Sequence, residues 1–381
     1  MPRRSPAIVL APDSFKGSLS ASAAASAIAE GLRRVWPDAD LRQCPMADGG
    51  EGTLDAILSR GGRRLTDRVS DASGEPIDVS YGMLDDPVIA VLEAAQIIGL
   101  TDRATANVDV GRRTTRGLGE LIRLRLDAGV RRFMIGLGGS STNDGGAGLL
   151  AALGLELVDA RDRTIEPTPE GLASLATVDA SHLDSRLGEA HIIVMSDVNN
   201  PLTGEHGATA IFGPQKGVPR DRIAEIDGRI ARFATLAESA LARYVQDKPG
   251  AGAAGGLGFA LQLIGAEIRS GAEVVADLIG LDAALDGADW AITGEGRSDA
   301  QTALGKTPLI VARRAAAQSV PATLISGSID RTALPELGHH FDGCFSLPSG
   351  PASLEQCLGD ASGLLADRAE QVARLFQAAR R

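Results

Sequence analysis

The stretch Phe133 to Gly148, FMIGLGGSSTNDGGAG, narrows the possible folds more than any other part of the chain. A short apolar run, Phe133 to Leu137, gives way to a glycine loop carrying Ser140, Ser141, Thr142, Asn143 and Asp144. The apolar run from Ala147 to Leu157 that follows reads as a helix. Strand, glycine loop and helix start form a device for holding an anion. Glycine lets bare backbone come close to a ligand, and free N–H groups at a helix start favour negative charge. The N–H groups of Gly138 and Gly139 belong to that set, and the hydroxyls of Ser140 and Thr142 and the Asn143 amide can also donate. Asp144 departs from a pure anion site. Either it caps the helix, or a magnesium ion or a substrate hydroxyl stands between it and the anion.

Similar polar clusters recur at strand ends, where open α/β sheets bind ligands. Ala7 to Ala11 reads as a buried strand, and PDSFKGSLS after it carries Asp13, Ser14 and Lys16 ahead of a helix capped by Ser20 and running to Val35. Leu41 to Met46 runs into ADGGEGTLDAIL, where paired glycines suggest close backbone approach and the acids are what any helix start prefers. His191 to Met195 is a buried strand followed by Asp197, Asn199 and Asn200, and FGPQKGV then places Lys216 in a glycine and proline turn. Trp290 to Thr293 is a strand followed by Glu295, Arg297, Asp299 and Lys306. Between these, Arg63 to Val69 and Pro76 to Tyr81 alternate like half-exposed strands. Thr114 to Ala128, Arg220 to Tyr244 and Leu354 to Ala379 read as helices, and Ala322 to Ser326 as a strand.

Composition sets bounds. A length of 381 residues suits two domains. Forty-six glycines and 3% aromatic residues suit alternating strands and helices with many tight connections, and give no stacking rings for a nucleic acid. A net charge of −11 indicates no polyanion partner. No run approaches the ~20 apolar residues of a membrane span, and the opening MPRRSPAIVLAPDSF lacks the pattern of a secretory leader. Cys44, Cys344 and Cys357 have no metal spacing and read as reduced thiols of a cytoplasmic protein. Gly250 to Gly255 matches G-x-G-x-x-G, but no strand leads into it and Pro249 precedes it, so it is a loop or a close backbone contact. There is no Walker A, kinase catalytic loop, zinc spacing or nucleophile elbow. Carboxylate, amide and lysine chemistry around an anion remains, and phosphoryl transfer fits it best.

Taken in order, APDSFKGSLSA, MADGGEGT, GLGGSSTNDGGAG, SDVNNPLTGEHGAT, FGPQKG, AAGGLG and ITGEGRSDAQTALGKTP resemble the bacterial type-I glycerate kinase family, over about residues 7 to 375. The resemblance implies ATP-dependent phosphorylation of D-glycerate, giving 2-phosphoglycerate, with Mg2+. It also implies an α/β fold in which a Rossmann-like domain is built from both chain ends, residues 1–66 and 285–381. A second α/β domain, residues 67–284, is inserted, with the active site in the cleft between. Two positions depart from the family pattern: Ser141 where alanine is usual, and Asn199 where aspartate is usual. Asn199 cannot act as a base, so the expectation assigns the glycerate proton to Asp197. Lys16 and Arg297 are expected to hold the glycerate carboxylate or the transferring phosphoryl. Residues 138–143, with Asp13, Ser14, Asn200 and Lys216, are expected at substrate or phosphate, and Asp144, Glu295 and Asp299 at magnesium or a hydroxyl. A kinase for another short hydroxy acid, a binding regulator without turnover and a metal-dependent phosphatase stay open, as does the oligomeric state.

Overall fold

The computed structural model describes residues 5–100 and 107–379, so the arginines at positions 3 and 4 lie outside the described residues. The chain divides into two compact units, each α/β. The first takes both chain ends: residues 1–48, 55–60 and 272–381. The second takes residues 49–54 and 61–271. The expected borders stood at 66/67 and 284/285. The strand Arg63–Ser70 goes with the second unit because it pairs along its whole length with Pro76–Asp85. The helices Gly271–Leu278 and Leu281–Leu285 pack in the first because Arg314 holds both, donating to Asp277 at 2.7 Å and Asp282 at 3.0 Å.

The first unit is built on five parallel strands, in the order Gly343–Ser346, Ala322–Ser326, Trp290–Thr293, Ala7–Leu10, Asp40–Gln43. Ala7–Leu10, Trp290–Thr293 and Ala322–Ser326 are buried throughout, which is why they read as continuous apolar runs rather than alternating ones. The helix Ala21–Arg33 is capped by Ser20, whose side chain accepts from Ala23 N–H. It packs on the terminal helix Ala361–Ala379 so closely that a side-chain carbon at Gly31 would lie 2.0 Å from Ala366 O. Trp290 stacks on Phe376 of the same helix at 4.5 Å. The expected single helix from Leu354 to Ala379 is two, because Ser353 and Gln356 form a capping box for Leu354–Gly359 and the chain breaks at Asp360.

The second unit has a six-stranded sheet, in the order Glu267–Arg269, His191–Met195, Arg132–Gly136, Val88–Glu93, Pro76–Asp85, Arg63–Ser70. The first four run parallel, and the last two join antiparallel as half-exposed strands. One expectation fails here. The run from Ala147 to Leu157 is a helix only over Ala147–Ala152, and Glu156–Asp159 then turns into a hairpin strand with Leu175–Asp179. Gly154 ends the helix, and short apolar runs fit either structure until a partner strand decides. No helix among the described residues is long and apolar enough to cross a membrane.

Candidate active site

In the second unit, Arg132–Gly136 delivers the chain into the glycine loop at the strand's carboxyl end. The loop lies against two other glycine segments. Gly138 N–H donates to Gly49 O at 3.2 Å, and a side-chain carbon at Gly138 would fall 2.5 Å from Gly50 Cα. From another direction Gly145 N–H donates to Gly255 O at 2.9 Å, and a side-chain carbon at Gly255 would fall 2.1 Å from Thr142 O. The G-x-G-x-x-G stretch is therefore a backbone contact for this loop. It also reaches the loop after His191–Met195, since Gly252 N–H donates to Asn200 O at 2.9 Å.

The structure reassigns several loop residues. Asp144 is fully buried and accepts from Thr115 N–H and Oγ1, both at 2.8 Å, from Gly146 N–H at 2.9 Å and from Gly148 N–H at 3.1 Å. Burial pushes its carboxyl up and these four donors pull the other way. Buried and held by four protein donors, Asp144 serves as a structural cap, rather than the open carboxylate expected at magnesium or a hydroxyl. Gly146 and Gly148 N–H are taken by these bonds, Ala147 N–H goes to Asp144 O at 3.2 Å and Leu149 N–H to Thr115 Oγ1 at 2.9 Å, so the six-residue helix offers no anion site. Gly138 N–H is spent on Gly49, and Ser141 N–H on Ile98 O at 2.8 Å. Among the described residues the N–H groups of Gly139, Ser140, Thr142 and Asn143 have no acceptor. Asn143 Nδ2 donates to Thr209 Oγ1 at 3.0 Å, while Asn143 Oδ1 and Thr142 Oγ1 are buried without a partner.

Lys216, in its glycine and proline turn, is buried. Its Nζ donates to Ser140 Oγ at 3.0 Å and Thr142 O at 2.8 Å. Burial pushes the amine down to about 7; Asp144 opposes that shift and Arg113 adds to it. Arg113 itself is buried, and its Nη1 donates to Ser141 O and Lys216 O, both at 3.1 Å. Arg113, Thr115 and Thr209 were not singled out in the sequence. Arg113 stands immediately before the stretch from Thr114 to Ala128 that reads as a helix, with no local signal of its own. Asp197 is exposed in the loop after His191–Met195, and Asn200 Nδ2 closes a turn onto His206 O at 2.8 Å.

The first unit gathers a second set at its strand ends. Asp13 follows Ala7–Leu10, and its Oδ1 accepts from Ser14 N–H at 2.6 Å. Glu295 follows Trp290–Thr293, and its Oε1 accepts from Ser298 Oγ at 2.9 Å and Thr302 Oγ1 at 2.6 Å. Burial raises the Asp13 carboxyl to about 7, and Asp48 and Glu295 add to the shift. Glu295 is raised too, first by burial. Asp48 had an ordinary helix-start explanation in the sequence; its effect on Asp13 is visible only in the fold. Asp299 accepts from Gln301 N–H at 2.9 Å and lies 3.8 Å from Lys306 Nζ. Lys16 and Arg297 are exposed. The structure thus brings Asp13, Ser14, Glu295 and Asp299 together with these cations in one unit. In the other unit it brings residues 138–144 and Lys216 together, and Asn200 to the glycine segment that lies against them; Asp197 belongs to the same unit.

Residues 8–377 match the model of the glycerate kinase family. The chain is 43% identical over 379 residues to a glycerate kinase of Bacillus subtilis (strain 168), covering 98% of each chain. It is 41% identical over 357 residues to a glycerate 2-kinase of Escherichia coli (strain K12), covering 93% of each. A crystal structure of a Salmonella typhimurium LT2 protein assigned as glycerate kinase 2 superposes with a TM-score of 0.88 at 44% identity, covering 99% of this chain and all of that one.

Proposed function

Because this chain belongs to the glycerate kinase family and is a phosphotransferase acting on glycerate, we propose that it moves the terminal phosphoryl group of ATP to D-glycerate, giving 2-phosphoglycerate. The observation that carries the reading is the glycine loop. Among the described residues four of its N–H groups have no acceptor, and two buried cations, Arg113 and Lys216, hold oxygens of the loop. Such a loop suits a phosphate or a carboxylate.

Magnesium finds no all-protein cage, since among the described residues no three acidic, histidine or cysteine side chains converge to hold one. The donor set fits the ion as a nucleotide brings it, held by one or two carboxylates with phosphate and water completing the shell. Glu295 and Asp299 would supply those carboxylates, and the raised carboxyl of Asp13 beside Asp48 and Glu295 supports a need for positive charge there. When bound, the ion offsets charge on the phosphates. The chain's own groups do the rest. Asp197 takes the proton of the glycerate hydroxyl. In a loose transition state that proton moves late, so an ordinary carboxylate suffices if it is well placed. Lys16 and Arg297, exposed and free to adjust, hold the glycerate carboxylate or the transferring phosphoryl. The reaction belongs in the cytoplasm, where Cys44, Cys344 and Cys357 stay reduced.

The deciding assay is ADP release. With ATP and magnesium, release should require D-glycerate, and phosphorus NMR of the product should show the 2-phosphate. A 3-phosphate signal overturns the regiochemistry. Release with another short hydroxy acid in place of glycerate overturns the substrate, and inorganic phosphate formed without ATP overturns the kinase.

A further inference from the structure

Three consecutive residues of the glycine loop each give an oxygen to a buried cation. Ser140 Oγ and Thr142 O accept from Lys216 Nζ, and Ser141 O accepts from Arg113 Nη1. Arg113 also holds Lys216 O, so the arginine fixes the backbone that carries the lysine. Two further donors go to Val108 O, Nε at 3.0 Å and Nη2 at 2.8 Å. A trans peptide is planar, and its C=O and N–H point in opposite directions. The Ser141 carbonyl turned to Arg113 therefore sends Thr142 N–H the other way. The Thr142 carbonyl turned to Lys216 does the same for Asn143 N–H. These are two of the N–H groups that find no acceptor among the described residues.

We infer that Lys216 and Arg113 are a positioning pair for the anion site: they lock two successive peptide planes so that Thr142 and Asn143 present their N–H groups to a phosphate or carboxylate, and they set positive charge behind it. Neither cation touches the ligand. The inference rests on the reading of this loop as the anion site. The charged groups facing Lys216 are Asp144, which favours its charged form, and Arg113, which disfavours it; burial outweighs both and brings the amine to about 7. A neutral amine keeps two N–H donors, so both of its bonds to the loop can survive deprotonation. What is lost above neutrality is charge. Anion affinity should therefore fall as pH rises through the lysine's range.

ADP and D-glycerate serve as separate probes on the intact chain. If the loop holds phosphate, the ADP dissociation constant should rise between about pH 6 and about pH 8.5; if it holds carboxylate, that of glycerate should. ADP's own phosphate gains charge over the lower part of this range, so the wild type is compared with Lys216→Met at each pH. Below neutrality Lys216→Met should weaken the responding probe by roughly tenfold, through the lost charge behind the site and the loosened loop, and should flatten its pH dependence. It should also raise deuterium uptake in peptides spanning residues 138–146, and Arg113→Lys should do so more mildly. Unchanged uptake in both variants overturns the clamp. Raised uptake with both probes bound as before overturns the loop as the anion site, and the inference falls with it. If Lys216→Met does not fold, Lys216→Gln, which keeps a donor and drops the charge, takes its place. A wild-type dissociation constant that rises for neither probe overturns the inference without any variant.

Discussion

In the first unit Asp13 shares its surroundings with Asp48 and Glu295, and burial with these neighbours lifts its carboxyl to about 7. In the second, Arg113 and Lys216 are buried together, with Asp109 acting on the arginine and Asp144 on the lysine, and burial takes the Lys216 amine down to about the same value. One unit keeps carboxylates close together and the other keeps cations close together. Like charges held out of water cost folding energy that a salt bridge would partly recover. Lys306 beside Glu295 and Asp144 beside Lys216 offset part of that cost but leave both shifts standing, so each cluster gains from a ligand of opposite sign: a cation at the first, an anion at the second. In the proposed reaction a metal-bound nucleotide would bring the cation, and a phosphate or the glycerate carboxylate the anion.

The largest expected effect comes from the residue that breaks the pattern of the second unit. Asp197 is an exposed carboxylate in the unit that buries Arg113 and Lys216 side by side, and as the proposed proton acceptor it should matter for chemistry more than for binding. Asp197→Asn should lower kcat by about a hundredfold to ten-thousandfold with the far-ultraviolet dichroism unchanged; a near-normal kcat removes it from the role. Lys16 and Arg297 break the pattern of the first unit. Alanine at either should raise a KM by about tenfold, as for a lost charged hydrogen bond, and steady-state kinetics with each substrate varied will show which ligand each one holds.

Next comes stability against pH. Asp13 has a folded pKa above its unfolded value, so the folded state holds the extra proton between about pH 4 and pH 7, and stability falls as pH rises through that window. Asp13→Asn should therefore raise Tm relative to the wild type above pH 7, by the equivalent of about 1–2 kcal/mol, and lose that advantage near pH 4. Lys216 has a folded pKa below its unfolded value, so its contribution runs the other way, with stability climbing from about pH 7 toward pH 10. Thermal melts of Asp13→Asn and Lys216→Met with the same sign of pH difference would dissolve the comparison. The smallest effect is expected at Ser141, whose Oγ donates to Ile98 O at 3.0 Å. Ile98 O also accepts Ser141 N–H, so Ser141→Ala leaves no buried acceptor stranded; it should cost about 1 kcal/mol or less in denaturant melts and leave both KM values alone.

The strands at His191–Met195, Trp290–Thr293 and Ala322–Ser326 were readable residue for residue, because a buried parallel strand is a continuous apolar run with polar loops on either side. Glu156–Asp159 was not, since LGLELV is apolar enough for a helix and its strand partner lies about twenty residues further on. The glycine loop was legible as a site, but the duties within it were not. Asp144 caps by reaching Thr115, and Arg113 acts on Ser141 and Lys216, none of them sequence neighbours. Local pattern shows which residue types are available. It does not show which of them the fold commits to holding the loop and which it leaves for a ligand.

Gly31 leaves its helix bare where the backbone of Ala366 passes, and that contact carries a consequence for biosynthesis. On a ribosome the strand Ala7–Leu10 emerges early but must wait for Trp290–Thr293 and the closing helix before it is covered. The second unit has all of its strands by residue 269, so it can finish while the first is still a nascent fragment. Chaperones that bind apolar nascent segments would therefore meet the amino-terminal strand and its helix, and a message truncated shortly before codon 361 would release a chain with one finished half and one that cannot close.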